Sequence, residues 1–177
     1  TIDYTGAARQ YKQSTGAIAF AFGFALIVVF LVLAAQFESF VHPIVIMVSV
    51  PLAITGGLFG LFLFDGTLNI YSEIGLIILI ALAAKNGILI VEFANQLRDD
   101  GRNVRDAIVE ASDLRVRPVL MTSVATIVGA IPLILGHGAG AESRFTIGTV
   151  IFFGLLVATM LTLFVVPVFY DLLAKYT

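Results

Sequence analysis

Lys85 stands near the middle of an apolar run over about residues 71–97, with Asn86 beside it and Glu92 and Asn95 further along. At about 1.5 Å of helical rise per residue it lies roughly 18 Å from the nearer polar boundary, close to the midplane of a hydrocarbon layer about 30 Å thick. Placing a lysine at a helix centre costs about 2.5–3.5 kcal/mol on insertion scales, and such residues usually face the bundle interior and mark an ion or proton pathway. The chemistry on offer is therefore passage of an ion or a proton inside a membrane. The alternative is a lysine paired with a neighbouring helix merely to fix packing.

Ala81, Ala83, Ala84 and Gly87 surround Lys85 with small side chains, which leaves room for another helix to come close. A lone ammonium at that depth calls for a carboxylate partner. Glu92 is two turns along on roughly the same face, about 10 Å away and too far for direct pairing; its plainer reading is a residue near the membrane interface. Thr122 and Ser123 bring hydroxyls to a depth where a proton wire could use them, although such hydroxyls commonly bond back to the preceding turn. His42 and His137 fall at loop positions far apart in the chain, and cysteine is absent, so neither a metal site nor thiol chemistry is expected. The sequence has no phosphate-cradling glycine loop, no paired histidines on one helix face and no nucleophile elbow.

What must position these residues is membrane-spanning helix. Of the 177 residues, 59% are hydrophobic and 12% charged, against about 25% charged in a soluble domain, and the mean hydropathy is +1.04. A net charge of -2 projects no field toward nucleic acid or an acidic substrate. Apolar runs of about twenty residues must satisfy their own backbone hydrogen bonds in hydrocarbon and are read as helices. Five occur, over about residues 16–36, 43–64, 71–97, 118–135 and 145–173. The first carries Phe20, Phe22, Phe24 and Phe30 and is greasy all round, as a lipid-exposed helix should be. The second holds Pro51 and a patch at Gly56, Gly57 and Gly60; Gly56 and Gly60 have the GxxxG spacing that lets backbones approach, although glycine is frequent in membrane helices generally.

Between the third and fourth runs, Val104, Ala107, Ile108 and Ala111 recur at helical spacing among charged residues. That pattern predicts a short amphipathic helix over about 103–114 lying on the membrane surface, capped by Asn103 with Asp106 near its positive end. The expected fold class is an all-α membrane protein, a bundle of about five transmembrane helices plus this short cytoplasmic amphipathic helix. Residues 1–15 are polar, lack the basic-then-apolar order of a signal peptide, and read as a lead-in from a preceding part of a longer chain, with 16–177 as the transmembrane domain. Arg98, Arg102, Arg105, Arg115, Arg117 and Lys175 fall on one side of the membrane, and Arg9, Lys12 and Arg144 on the other. Basic residues are held on the cytoplasmic side, so the amphipathic segment and the C-terminus are expected inside and the N-terminus outside.

The stretch Ala84-Lys85-Asn86-Gly87-Ile88-Leu89-Ile90-Val91-Glu92-Phe93-Ala94, followed by Leu114-Arg115-Val116-Arg117-Pro118-Val119-Leu120-Met121-Thr122-Ser123, resembles the resistance-nodulation-division efflux pumps. Phe37-Glu38-Ser39, Val50-Pro51-Leu52, the loop from Gly138 to Arg144 and Val166-Pro167-Val168-Phe169-Tyr170 extend the likeness over nearly the whole chain. In style it is closest to the hydrophobe/amphiphile (multidrug) subfamily of Gram-negative bacteria. The resemblance implies helices eight to twelve, one half of the transporter membrane domain, in the bacterial inner membrane, entered from a periplasmic porter domain. It implies a secondary active transporter and no enzyme, needing no cofactor and driven by the proton motive force. By that likeness Lys85, Thr122 and Arg115 match the proton relay, with Asn86 and Glu92 in supporting roles. The relay's two aspartates belong to a missing N-terminal half. A homotrimer, a periplasmic adaptor, an outer-membrane channel and membrane lipids are the implied partners, with no nucleic acid. Heavy-metal export within the same superfamily, and a non-transporting membrane anchor or scaffold, are the alternative readings.

Overall fold

A computed structural model describes residues 7–173, with side chains placed from residue 20 onward. It contains α1 (Ala7–Phe37), α2 (Val41–Met47), α3 (Ser49–Leu63), α4 (Ile70–Asp99), α5 (Val104–Leu135) and α6 (Ala141–Leu173), and no strand among the described residues. α2 and α3 together make one crossing, so five segments are long and apolar enough to span a membrane. The all-α, five-span class is as expected. Successive spans run antiparallel, which brings the end of α1, the start of α2, the α4–α5 turn and the end of α6 to one end of the bundle, here called the basic end.

The first six residues of the expected 1–15 lead-in, and Lys175 among the basic residues, lie outside the described residues. From Ala7 onward the lead-in is already part of α1. The expected separation between a surface helix at 103–114 and a span at 118–135 is corrected: α5 is one helix of 32 residues that runs through Pro118 and Pro132. Membrane helices tolerate proline because packed neighbours and local adjustment resatisfy the freed carbonyl. The periodicity did identify a buried face, since Ala107, Ile108 and Ala111 are buried, but what covers it is protein: Ile108 and Ala111 sit in a core cluster with Val91, Ala94, Val166 and Tyr170. Asn103 takes the cap position with extended backbone, yet its side chain caps no backbone amide and reaches Asp106 Oδ2 at 3.5 Å instead.

The second span is offset at Val48 between α2 and α3. Pro51 has no N–H to give to the carbonyl four residues earlier, so the ladder loses a rung there, while the Ser49 hydroxyl donates to Ile46 O at 2.7 Å. His42, expected in a loop, is instead a buried residue of α2. The third span starts on a capping box, in which Asn69 Oδ1 accepts from Ser72 N at 2.9 Å and Ser72 Oγ accepts from Asn69 N at 2.8 Å. Two orphan donors of the first turn are satisfied in this way.

α6 is the hub, packed on α3, α4 and α5. α3 meets it through Gly56, Gly57 and Gly60: a Cβ on Gly56 would stand 2.6 Å from Val157 Cβ and 3.1 Å from the carbonyl oxygen of Phe153. A Cβ on Gly60 would lie 2.7 Å from Phe153 Cβ, so the glycine spacing marks a true helix–helix seam with its partner in the same chain. Burial is uneven. In the most apolar 18-residue stretch of each span, only 6% of residues are buried in the first and 17% in the fourth, against 50%, 56% and 50% in the second, third and fifth.

Candidate functional site

Lys85 occupies the centre of α4, with fifteen helical residues before it and fourteen after (85 − 70 and 99 − 85). It is exposed, on a stripe of α4 that also carries Ile74, Ile78, Ala81 and Glu92. Lys85, Asn86, Thr122, Ser123 and Thr126 line one groove between α4 and α5. Among the described residues the one ion pair is Arg102–Glu110, at 3.6 Å and well exposed, so no carboxylate there answers the Lys85 ammonium.

Behind the lysine lies a buried polar triad. Asn86 Nδ2 donates to Ser123 Oγ at 3.2 Å and stands 3.5 Å from Thr159 Oγ1, and the Thr159 hydroxyl donates to Ser123 Oγ at 3.0 Å. All three side chains are buried, at 3% exposure each. The triad ties α4, α5 and α6 together at midspan, where unpaired polar atoms are costly. Interhelical hydrogen bonds in membranes average about 0.6 kcal/mol. Asn86→Ala, which loses two of them, is therefore expected to lower unfolding stability by about 1–2 kcal/mol in a detergent-unfolding titration. Thr126→Ala, which loses only an exposed bond within α5 to Thr122 O, is expected to leave it unchanged.

Thr122 lies in the groove, but its hydroxyl donates to Val119 O at 3.1 Å within its own helix. Arg115 is outside the groove, seven residues from Thr122 toward the basic end (122 − 115), or about 10 Å along the axis. Its guanidinium sits 4.5 Å over the Phe93 ring, a cation–π contact, and its Nε is buried with no hydrogen-bond partner. Glu92 is exposed on the Lys85 stripe and also lies outside the groove. The fold thus brings Lys85, Asn86 and Thr122 together and leaves Arg115 and Glu92 nearer the basic end. Sequence reasoning missed Thr126 and Thr159. The available signal for Thr159 was a hydroxyl, with Thr162, interrupting an otherwise apolar run.

The arrangement puts a midspan cation on an uncovered helix face, braced from behind by hydrogen bonds to two further helices. Chemically it offers a cation with which a carboxylate brought against this face could pair.

Residues 1–174 match the model of the AcrB/AcrD/AcrF family. An uncharacterised transporter of Haemophilus influenzae is 49% identical over 98% of this chain and 18% of its own length. A toluene efflux pump membrane transporter of Pseudomonas putida is 43% identical over 94% of this chain and 16% of its own. A multidrug resistance protein of Escherichia coli is 40% identical, again over 94% and 16%. The chain therefore spans less than a fifth of the length of these relatives.

Proposed function

Since the chain belongs to the AcrB/AcrD/AcrF family of efflux transporters, we propose that it is one membrane half of a proton-coupled drug exporter and that Lys85 carries its intramembrane ion-pair switch. The observation that supports this most directly is the exposed, midspan position of Lys85 in the groove with Thr122. An ammonium facing hydrocarbon at a helix centre costs about 2.5–3.5 kcal/mol, and a second membrane half bearing carboxylates removes that cost by covering the stripe. The paired aspartates of the N-terminal half fill this role.

Protonation of the aspartates releases Lys85, and deprotonation recaptures it. Because Asn86 is bonded to α5 and α6, a pull on Lys85 is shared by three helices. Thr122 turns its hydroxyl from Val119 O toward the groove when a proton passes, and Arg115 keeps a fixed positive charge two turns nearer the basic end. One charge crossing 100 mV carries about 2.3 kcal/mol, enough to bias a two-state element more than tenfold. The basic end faces the cytoplasm of a Gram-negative cell, in the inner membrane, and the complete exporter assembles as a homotrimer with a periplasmic adaptor and an outer-membrane channel. The relatives named for toluene and for multidrug resistance favour organic compounds over metal ions as cargo.

The coupling is tested with the full-length transporter in vesicles carrying a trapped pH-sensitive dye. Adding an exported compound is expected to accelerate decay of an imposed proton gradient, and an uncoupler is expected to stop export. Export that continues at full rate after the gradient has collapsed would refute proton coupling.

A further inference from the structure

At the basic end, away from Lys85, a cleft of about 500 Å³ opens among Phe37, Glu38, His42, Asn95, Arg98 and Asp99. That volume falls within the range of sites for small molecules, about 300–1,000 Å³. His42 is only 6% exposed, its ring set 5.8 Å from both Phe37 and Tyr170, and neither ring nitrogen has a hydrogen-bond partner. Buried polar atoms are normally paired, so an imidazole with two idle nitrogens on a cleft wall points to a missing ligand. The polar wall beside it is ordered: the Tyr170 hydroxyl donates to Asn95 Oδ1 at 2.6 Å and accepts from Arg98 at 3.5 Å. That leaves most of the Arg98 guanidinium free to donate elsewhere, while the Asn95 amide stands beside the His42 ring.

The charges choose the ligand class. Arg98 brings one positive charge and Glu38 and Asp99 two negative ones, and none of them is in an ion pair among the described residues. A simple anion would meet two carboxylates there, and a simple cation would meet a guanidinium; a molecule bearing both signs matches both. The level along the helices also fits, since Arg98 is in the last turn of α4 and Glu38 directly follows α1. There the apolar spans give way to charge, at the depth of lipid headgroups.

We propose that this cleft binds the headgroup of a zwitterionic phospholipid with a primary amine, phosphatidylethanolamine. Its phosphate is held by Arg98 and His42, and its ammonium by Glu38 and Asp99. Arginine suits a phosphate because its planar fork can give two parallel charge-assisted hydrogen bonds. A primary ammonium can donate to the two carboxylates, which a quaternary choline cannot. The inference rests on the five-span membrane fold and is independent of the Lys85 switch.

The test is native mass spectrometry of the full-length transporter in detergent, titrated with phosphatidylethanolamine, phosphatidylcholine or phosphatidylglycerol of matched chains. Retention of phosphatidylethanolamine is expected at about tenfold lower lipid concentration than either of the others. Exchanging both acids, Glu38→Gln with Asp99→Asn, alters two exposed side chains and is expected to erase the preference over phosphatidylcholine. Arg98→Gln is expected to weaken retention of all three lipids, as is His42→Phe, which keeps the ring contacts and removes the nitrogens. Equal retention of phosphatidylethanolamine and phosphatidylcholine by the native protein overturns the proposal. So does a preference undiminished in the double acid variant. Displacement of the lipid by an equal concentration of soluble glycerophosphoethanolamine would assign the cleft to a soluble zwitterion and overturn the lipid assignment.

Discussion

Lys85→Ala in the full-length transporter is expected to reduce drug efflux by at least about a hundredfold while membrane expression stays at the native level. The size follows from the site. On the proposed function, removing the ammonium leaves the opposing carboxylates with no counter-charge, and breaking a buried charge pair from one side typically costs about 3–5 kcal/mol, or about two to four decades in any equilibrium that depends on it. Expression should survive because alanine relieves the insertion cost of a midspan lysine and because Lys85 is absent from both core clusters. Lys85→Arg separates charge from geometry: it keeps the cation but replaces a compact point charge by a planar fork, and partial efflux is expected. Growth of an efflux-deficient strain on graded drug, read with membrane blots, measures both. Native resistance in the alanine variant would remove Lys85 from the mechanism.

Gly56→Leu is expected to act on the fold, with a loss of about 3 kcal/mol, at the top of the usual range for overpacking. The added Cβ meets Val157 Cβ at 2.6 Å, and behind that stand Phe153 O at 3.1 Å and the Gly154 backbone at 3.2 Å. Backbone cannot rotate aside as a side chain can, so α3 must back away from α6 and open the seam on both sides. Gly23→Ala is the matched control, since nothing lies within 4 Å of its new methyl group. Melting temperatures in detergent, followed by retention of a single native peak on gel filtration, report the difference. Equal melting of the two variants would mean that the α3–α6 seam contributes little.

The spans were legible because hydrocarbon enforces one rule on every residue of a run, and Lys85 was legible because it breaks that rule at the run's centre. Gly56 and Gly60 gave the correct face of α3, though nothing in the spacing could name α6 as the partner. Pairing across helices was beyond reach. That Asn86 meets Ser123 and Thr159 depends on the axial register of three helices, 37 and 73 positions apart in sequence, and no local pattern encodes it. Two errors share one cause. Helical periodicity at 104–111 suggests a surface helix and the polar His42 suggests a loop, but neither signal says whether water, lipid or protein covers the residue. Ile108 and Ala111, like His42, are covered by the rest of the bundle.

α5 has no joint where it leaves the hydrocarbon. A surface helix on a flexible linker would absorb any sliding of the segment that follows it, but a continuous helix fixes the rise of each residue and cannot telescope, even with the two rungs that Pro118 and Pro132 leave open. Axial travel of α5 beside Lys85 must therefore arrive, at full amplitude, at its first turns near Arg105 and Glu110, where it can be read from the aqueous side by a probe that never enters the bilayer.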